Sequence, residues 1–301
     1  MKQNFFSKIL QKYLFNKDIR KLRNSLFYYL FFRLIRNFLK GDVKIKVYNF
    51  FINASVAKNK MSNKLLKKCY TGEEEMLEVI EKISNYKKVF LLDCGANYGF
   101  YSLFAASLSE ANRIIGYEAS PITTDCFRDN VRLNNYNNIL SKNLAISDSS
   151  EEYINFNESL NDWESSATHE LFLERVVKIK TATIDSELHN KNLNDFSLII
   201  KLDIEGNEFN AIQGGINSIG KYDPLIIIEL SKYNLNNKNY NFIFFKNFLS
   251  EKKYTVYNKK LRPVTVDMLI NDINNLDKNN QTIGNYFLIK NSSYLHNLLL
   301  N

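Results

Sequence analysis

The 301-residue chain is poor in cysteine, proline and histidine, and no long apolar run is uninterrupted. Cys69, Cys94 and Cys126 are an odd number at irregular spacing with no CxxC pair. That argues against a disulfide framework and a zinc cluster, and it points to a reducing compartment. With three prolines and ten glycines there is no Pro/Gly/Ser-rich linker, and no internal repeat is found. A transmembrane helix needs ~20 apolar residues, and Arg23, Arg33 and Arg36 interrupt the most apolar segment. Lys8 cuts the first apolar run and no small-residue cleavage site follows, which argues against a secretory signal peptide. Most of the chain also lacks a basic excess. The formal net charge is +8, yet residues 1–40 hold ten Lys/Arg against Asp18 alone, which leaves 30 Lys/Arg and 31 Asp/Glu for the rest. The body therefore offers no surplus of positive charge to track phosphates.

What the chain does have begins with that basic segment. Phe5, Phe6, Ile9, Leu10, Tyr13 and Leu14 recur at helical spacing, as do Leu22, Leu26, Leu30, Leu34, Ile35, Phe38 and Leu39. Two readings stay open. Residues 1–40 lie on an anionic membrane surface, basic side chains toward headgroups and aromatics toward acyl chains, at the inner face of the membrane. Alternatively they are a pair of helices packed on the following domain, or on a second subunit of a homo-oligomer, with a solvated basic face.

Beyond Gly41, "VKIKVYNFFI" has β-type composition with partial alternation. In "TGEEEMLEVIEKI", Thr71 stands three residues before Glu74, a capping-box pattern at a helix start. From Val89 strands and helices alternate. Strands are expected at 89–94, 113–118, 139–146, 152–156, 176–182, 197–204, 225–230, 253–258 and 285–290, and helices at 98–108, 121–134, 207–219 and 240–251. Repeated βα units imply a mostly parallel sheet covered on both faces. The expected division is an N-terminal region, residues 1–69, and a single α/β domain, residues 70–301.

Three stretches carry chemistry. In "LLDCGANYGFYSL", Asp93 ends a strand and Gly95 and Gly99 lie in the turn before a helix. Ligands of open α/β sheets bind beyond the carboxyl ends of the strands, and glycines there let backbone approach a ligand. The spacing is GxxxG rather than the GxGxxG of dinucleotide sites, and an acid precedes it, which suits a cationic ligand better than a diphosphate. In "IIGYEAS", Glu118 ends the next strand, where a carboxylate accepts hydrogen bonds from ribose hydroxyls; the bland alternative is a surface acid. A nucleoside with a cationic arm and no pyrophosphate, such as S-adenosylmethionine, fits both.

In "LIIKLDIEGNEF", a buried run ends in Asp203, Glu205 and Glu208, with Lys201 just before. If the strand continues that far, Lys201, Asp203 and Glu205 share one face. Asp203 or Glu205 then accepts the proton of an attacking hydroxyl, with Lys201 tuning or orienting. For Glu208 the simpler reading is an acid in the first helical turn. The next strand, "LIIIELS", adds Glu229 to the cleft.

Taken in order, "LDCGANYGFYSL", "GYEASP", "NLAISD", "IKLDIEGNE" and "IIIEL" resemble the FkbM family of S-adenosylmethionine-dependent O-methyltransferases over about residues 70–290. The resemblance implies the class I methyltransferase Rossmann-like fold, a seven-stranded sheet with an antiparallel last strand at 285–290, preceded here by the basic amphipathic helices. It implies that Asp93, Gly95, Asn97 and Gly99 surround the methionine end of the cofactor, that Glu118 holds the ribose, and that Ala145 and Ile146 flank the adenine. Asn97 stands where the usual methyltransferase motif has a third glycine, as in the family; Cys94 and Tyr98 replace aliphatic residues.

A sulfonium is already an activated methyl donor, so no metal is expected, and the Asp203/Glu205 pair lacks further clustered ligands. Asp203 stands slightly ahead of Glu205 as base, with His169 as a rival. The polar stretch "NDWESSATHELF" is expected to contact the acceptor through Trp163, Ser165 and Ser166, since an indole stacks on a sugar ring. The expected function is O-methylation of a sugar or another small molecule, in surface-polysaccharide or glycolipid biosynthesis, by a cytoplasmic enzyme. Two alternatives stand beside it. A nucleic-acid methyltransferase is disfavoured by the near-neutral body and by the absence of an Asn/Asp-Pro-Pro-aromatic motif. A non-catalytic membrane-associated protein with a decayed pocket is disfavoured by the intact Asp93, Gly95, Gly99 and Glu118.

Overall fold

The computed structural model describes residues 5–14, 17–35, 38, 41–55, 66, 72–150, 152–158, 175–236, 240–276 and 283–300. Between residues 89 and 231 lie the parallel strands β3 (Val89–Cys94), β4 (Arg113–Tyr117), the half-exposed edge strand β5 (Ile139–Lys142), β9 (Ser197–Leu202) and β10 (Leu225–Ser231). Three later strands extend the sheet: β11 (Tyr254–Asn258), the two-residue β12 (Pro263–Val264) and β13 (Ile283–Lys290). Their order is β12-β11-β13-β10-β9-β3-β4-β5, with β13 antiparallel to both β10 and β11. This is the expected seven-stranded arrangement with β12 added at one edge.

Because both faces are covered, alternate residues of each strand feed opposite cores. Leu91, Ile114, Ile199 and Ile227 belong to one cluster. Leu92, Ile115, Ile200 and Ile228 belong to the other. The first face is covered by α3 (Glu74–Tyr86), α4 (Phe100–Leu108) and α12 (Tyr294–Leu300); the second by α6 (Ile184–Leu188), α7 (Glu208–Gln213), α8 (Ile216–Tyr222), α10 (Phe242–Lys252) and α11 (Val266–Asn275). The connection from β4 to β5 is α5 (Pro121–Leu133), capped by the Ser120 side chain, and a short helix, α9 (Lys232–Asn236), follows β10.

Two expectations are corrected. The stretch 139–146 is not one strand: after β5 the chain leaves the sheet, and β6 (Ala145–Ile146) pairs with β8 (Arg175–Ala182), which also pairs with β7 (Tyr153–Glu158). The helix expected at 207–219 is broken into α7 and α8 at Gly214–Gly215, where a Cβ on Gly214 would lie 2.2 Å from the Ser147 carbonyl. Helix α3 begins at Glu74, and the Glu74 side chain accepts from the Gly72 N–H at 3.1 Å. Thr71, the expected cap, lies outside the described residues.

The N-terminal region packs on the α4 side. Helix α1 (Phe5–Leu14), a 3-10 turn (Ile19–Leu22) and α2 (Leu26–Ile35) precede a hairpin, β1 (Asp42–Val47) and β2 (Phe50–Ser55). The alternation in "VKIKV" buries Val43, Ile45 and Val47. At the hairpin turn Tyr48 meets Phe104 edge-on at 4.8 Å, and Phe50 meets Phe100 at 5.4 Å. Asn130 on α5 and Asn134 at its C-cap complete the docking. Asn134 exchanges hydrogen bonds with the N–H and carbonyl of Phe51, both at 2.7 Å, and Asn130 accepts from Asn53 N–H at 2.9 Å.

Candidate active site

The parallel strands reverse their order of connection between β3 and β9, and the candidate residues gather at the carboxyl ends there. The loop after β3 is sewn to its neighbours by backbone. Gly95 and Ala96 both donate to the Tyr117 carbonyl at 2.9 Å, and Asp203 N–H donates to the Cys94 carbonyl at 3.1 Å. This packing by itself demands the glycines. Gly95 has φ +77°, and its Cβ would sit 1.8 Å from the Asp203 carbonyl oxygen. Gly99 has φ +84°, and its Cβ would enter the Phe127 ring. Asn97 is itself left-handed, at φ +52°, a conformation asparagine tolerates better than most residues.

Glu118 follows β4 and locks the loop from the other side. One carboxylate oxygen accepts from Asn97 N–H and the other from Ser120 N–H, each at 2.9 Å. Burial pushes its pKa up to about 7 although the two backbone donors pull the other way. Each carboxylate oxygen can accept two hydrogen bonds, so Glu118 has room for further donors.

Asp93 is fully buried and braces α4, accepting from Ser102 N–H at 3.1 Å and Ser102 Oγ at 2.7 Å. Burial raises its pKa, opposed chiefly by Lys201. Its Oδ1 has no hydrogen-bond partner and lies 3.9 Å from Lys201 Nζ; the buried Asn97 Oδ1 has no hydrogen-bond partner either. Two orphaned acceptors beside one turn are the chemistry a cationic ligand arm would satisfy.

On the β9 side, Lys201 is buried and contacts Asp203 Oδ2 at 2.9 Å, with its ammonium 4.8 Å from the centre of the Tyr101 ring. Burial alone would lower the Lys201 pKa, but Asp203, Asp93 and Glu73 together hold it above the ordinary lysine value. The strand stops at Leu202, so the shared wall of Lys201, Asp203 and Glu205 does not form as a continuous strand face. Asp203 is already loop, and Glu205 adopts a left-handed conformation at φ +54°. Glu208 starts α7 as read, and its buried carboxylate accepts from Ile204 N–H at 3.0 Å and from Gly206 N–H at 3.0 and 3.2 Å, tying the loop back. Burial raises its pKa to about 7.

Glu229, in β10, is held well above the ordinary carboxylate range by burial and by the nearby charges of Asp203 and Glu73. Ile146 lies beside the same loop, its carbonyl accepting from Asn207 Nδ2 at 2.8 Å, and Ala145 precedes it half-buried in β6. Trp163, Ser165, Ser166 and His169 lie outside the described residues. Among the described residues, no group of three His, Cys, Asp or Glu side chains is arranged to hold a metal ion.

Sequence reading missed Tyr101 and Glu73. Tyr101 is buried over Lys201 and hydrogen-bonded to Glu73, and both burial and that carboxylate raise its pKa. The only signal was its place two residues after Gly99, and Glu73 read simply as part of an acidic helix start.

The Methyltransferase FkbM domain model matches residues 93–256, just over half of the chain. No protein with a curated description matches the sequence. Among solved structures, the methyltransferase FkbM from Methylobacillus flagellatus KT is 19% identical with a TM-score of 0.40, over 75% of this chain and 52% of that one. The chain thus spans about half the length of that protein. Precorrin-6y C5,15-methyltransferase from Geobacter metallireducens GS-15 is 13% identical with a TM-score of 0.39, over 75% of this chain and 92% of that one. The O-methyltransferase from Bacillus cereus, solved in complex with SAH, is 14% identical with a TM-score of 0.42, over 73% and 82%.

Proposed function

The chain belongs to the FkbM methyltransferase family, and from that premise we propose that it transfers the methyl group of S-adenosylmethionine to a hydroxyl of a sugar or another small molecule. The observation that carries the reading is the Glu118–Asn97 junction: a carboxylate fixed by two backbone N–H groups, beside a turn with orphaned buried acceptors. The residues fit the cofactor that the family implies. Glu118 would take the ribose hydroxyls, and Asn97 Oδ1 the ammonium of the methionine arm. Ala145 and Ile146, beside the Asp203 loop, would border the adenine. Once bound, S-adenosylmethionine supplies a methyl group already activated by its sulfonium.

What remains for the chain is to orient the acceptor and take its proton. Lys201 is held cationic, so it cannot be the base; it fixes Asp203 at 2.9 Å instead. Burial and the charges of Asp203 and Glu73 favour the neutral form of Glu229, which suits it to donate a hydrogen bond. The base role therefore falls to Asp203, which is partly exposed at the strand end, ahead of Glu205. The near-neutral charge of residues 41–301 favours a small or glycan acceptor over a nucleic acid. A role in surface-polysaccharide or glycolipid synthesis follows from the resemblance.

Kinetics of Asp203→Asn test this with a panel of hydroxylated sugars and radiolabelled S-adenosylmethionine. Removing a general base is expected to lower kcat by ~10²–10⁴-fold while cofactor affinity holds, and Glu205→Gln is expected to cost far less. Equal loss in both variants, or none in Asp203→Asn, would overturn the assignment.

A further inference from the structure

Helix α2 (LFYYLFFRLI) is apolar apart from Arg33 but packed on one side only. At 100° per residue, Tyr29, Arg33, Leu26, Leu30, Leu34 and Phe27 fall on one continuous arc of about 160°. All six are exposed, with Leu26 at 69%, Phe27 at 64% and Leu34 at 74%. The opposite side carries Tyr28 and Phe32, both buried, with the Tyr28 hydroxyl donating to the Leu66 carbonyl at 2.5 Å. The Leu26/Leu30/Leu34 stripe that sequence periodicity marks as apolar is thus the outward face, and the face with Tyr28 and Phe32 is the one docked.

Helix α1 continues the same surface. Leu10 and Leu14 are buried, while Phe5 is 70% exposed, and Tyr13 lies 5.8 Å from both the Phe27 and Phe31 rings of α2. Exposed Lys8, Lys12, Lys21 and Arg33 accompany it. A helix apolar all round is ordinarily buried on all sides, so a surface of this kind marks an interaction site.

Charge decides what covers it. Residues 1–40 carry ten basic side chains and one acid, on a chain whose remainder is close to neutral. A second copy would bring the same positive charge against this one, and like charges oppose that approach. An anionic lipid surface takes both features at once: aliphatic and aromatic side chains enter the headgroup–acyl boundary while Lys and Arg stay at the phosphates. Among the described residues no helix is long and apolar enough to cross a membrane, so the contact is one of lying on the surface. We propose that the outward faces of α1 and α2 form a docking surface for an anionic phospholipid bilayer. Through the hairpin that packs Tyr48 and Phe50 on α4, this surface is built onto the helix that begins at the candidate cofactor loop.

The test is co-sedimentation of the full chain with vesicles of phosphatidylglycerol and phosphatidylcholine, against vesicles of phosphatidylcholine alone. The expected result is binding to the anionic vesicles only, weakened by salt, and reduced at least ~10-fold in apparent affinity by Leu30→Glu/Leu34→Glu. That variant should keep the wild-type circular dichroism and S-adenosylmethionine affinity. Lys8→Glu/Lys12→Glu/Lys21→Glu, which leaves the α2 arc intact, should also lose binding. Wild type that stays in the supernatant with anionic vesicles overturns the proposal. So does binding unchanged by Leu30→Glu/Leu34→Glu, or a dimer, seen by light scattering, that this variant dissociates, since a second copy would then be the occupant.

Discussion

Glu118 is the residue on which binding and protonation meet. Its pKa of about 7 reflects burial, and hydroxyl donors from a ribose favour the ionised form. Affinity for S-adenosylmethionine is therefore expected to rise from about pH 6 to about pH 8, and Glu118→Gln should flatten that rise. Titration calorimetry at several pH values checks this; a parallel slope in the variant would assign the titration elsewhere. Gly99 gives a second prediction. An alanine there takes on a left-handed backbone and a clash with the Phe127 ring, expected to cost about 2–4 kcal/mol in urea unfolding. Gly220→Ala, inside α8 with only the flexible end of Lys252 nearby, should be neutral or slightly stabilising. The strand-end acids Asp93, Glu118 and Asp203 were legible in the sequence because each ends an apolar run, and such ends converge in a parallel sheet. What the glycines face was not legible, since Asp203 lies 108 positions from Gly95 and Phe127 lies 28 from Gly99.

Among the elements, the βα alternation could be read directly because buried strands and amphipathic helices differ in period and length. The end of β9 could not. "LIIKLDIE" has no breaker before Gly206, and the strand stops at Leu202 as the chain passes into a loop held by the Glu208 carboxylate. The hairpin β1–β2 shows the same limit. Its alternation was visible, whereas its docking depends on Asn130 and Asn134, in a sequence so rich in asparagine that neither stood out. Asn134→Ala removes both bonds to Phe51 and leaves its backbone groups to find other partners. The expected loss is about 1–3 kcal/mol, measured by denaturant unfolding, with hydrogen exchange rising first at residues 50–55. Unchanged exchange in that strand would mean that the aromatic contacts of Tyr48 and Phe50 suffice to hold it.

Over the whole molecule, several carboxylates are held above their ordinary values by desolvation: the buried Asp93 and Glu208 and the half-buried Glu118 and Glu229, with Glu118 and Glu208 at about 7. Between the ordinary carboxylate pKa and that value the folded chain binds more protons than the unfolded one. Stability from these groups is thus fully present below about pH 4.5 and is lost as pH rises through about 7, on the order of a few kcal/mol. Urea midpoints measured across that range should fall, and Glu208→Gln should reduce the slope; a midpoint that climbs instead would show that these acids ionise freely in the fold. The cluster is a cost of assembling acids at converging strand ends, and a cationic ligand is what would offset it. The most direct test of that idea is titration calorimetry of the full chain with S-adenosylmethionine at neutral pH, with NAD as control and Glu118→Ala alongside. Saturable binding of S-adenosylmethionine alone, lost in Glu118→Ala, is the predicted result; no binding to the wild type, or equal binding to the variant, would contradict it.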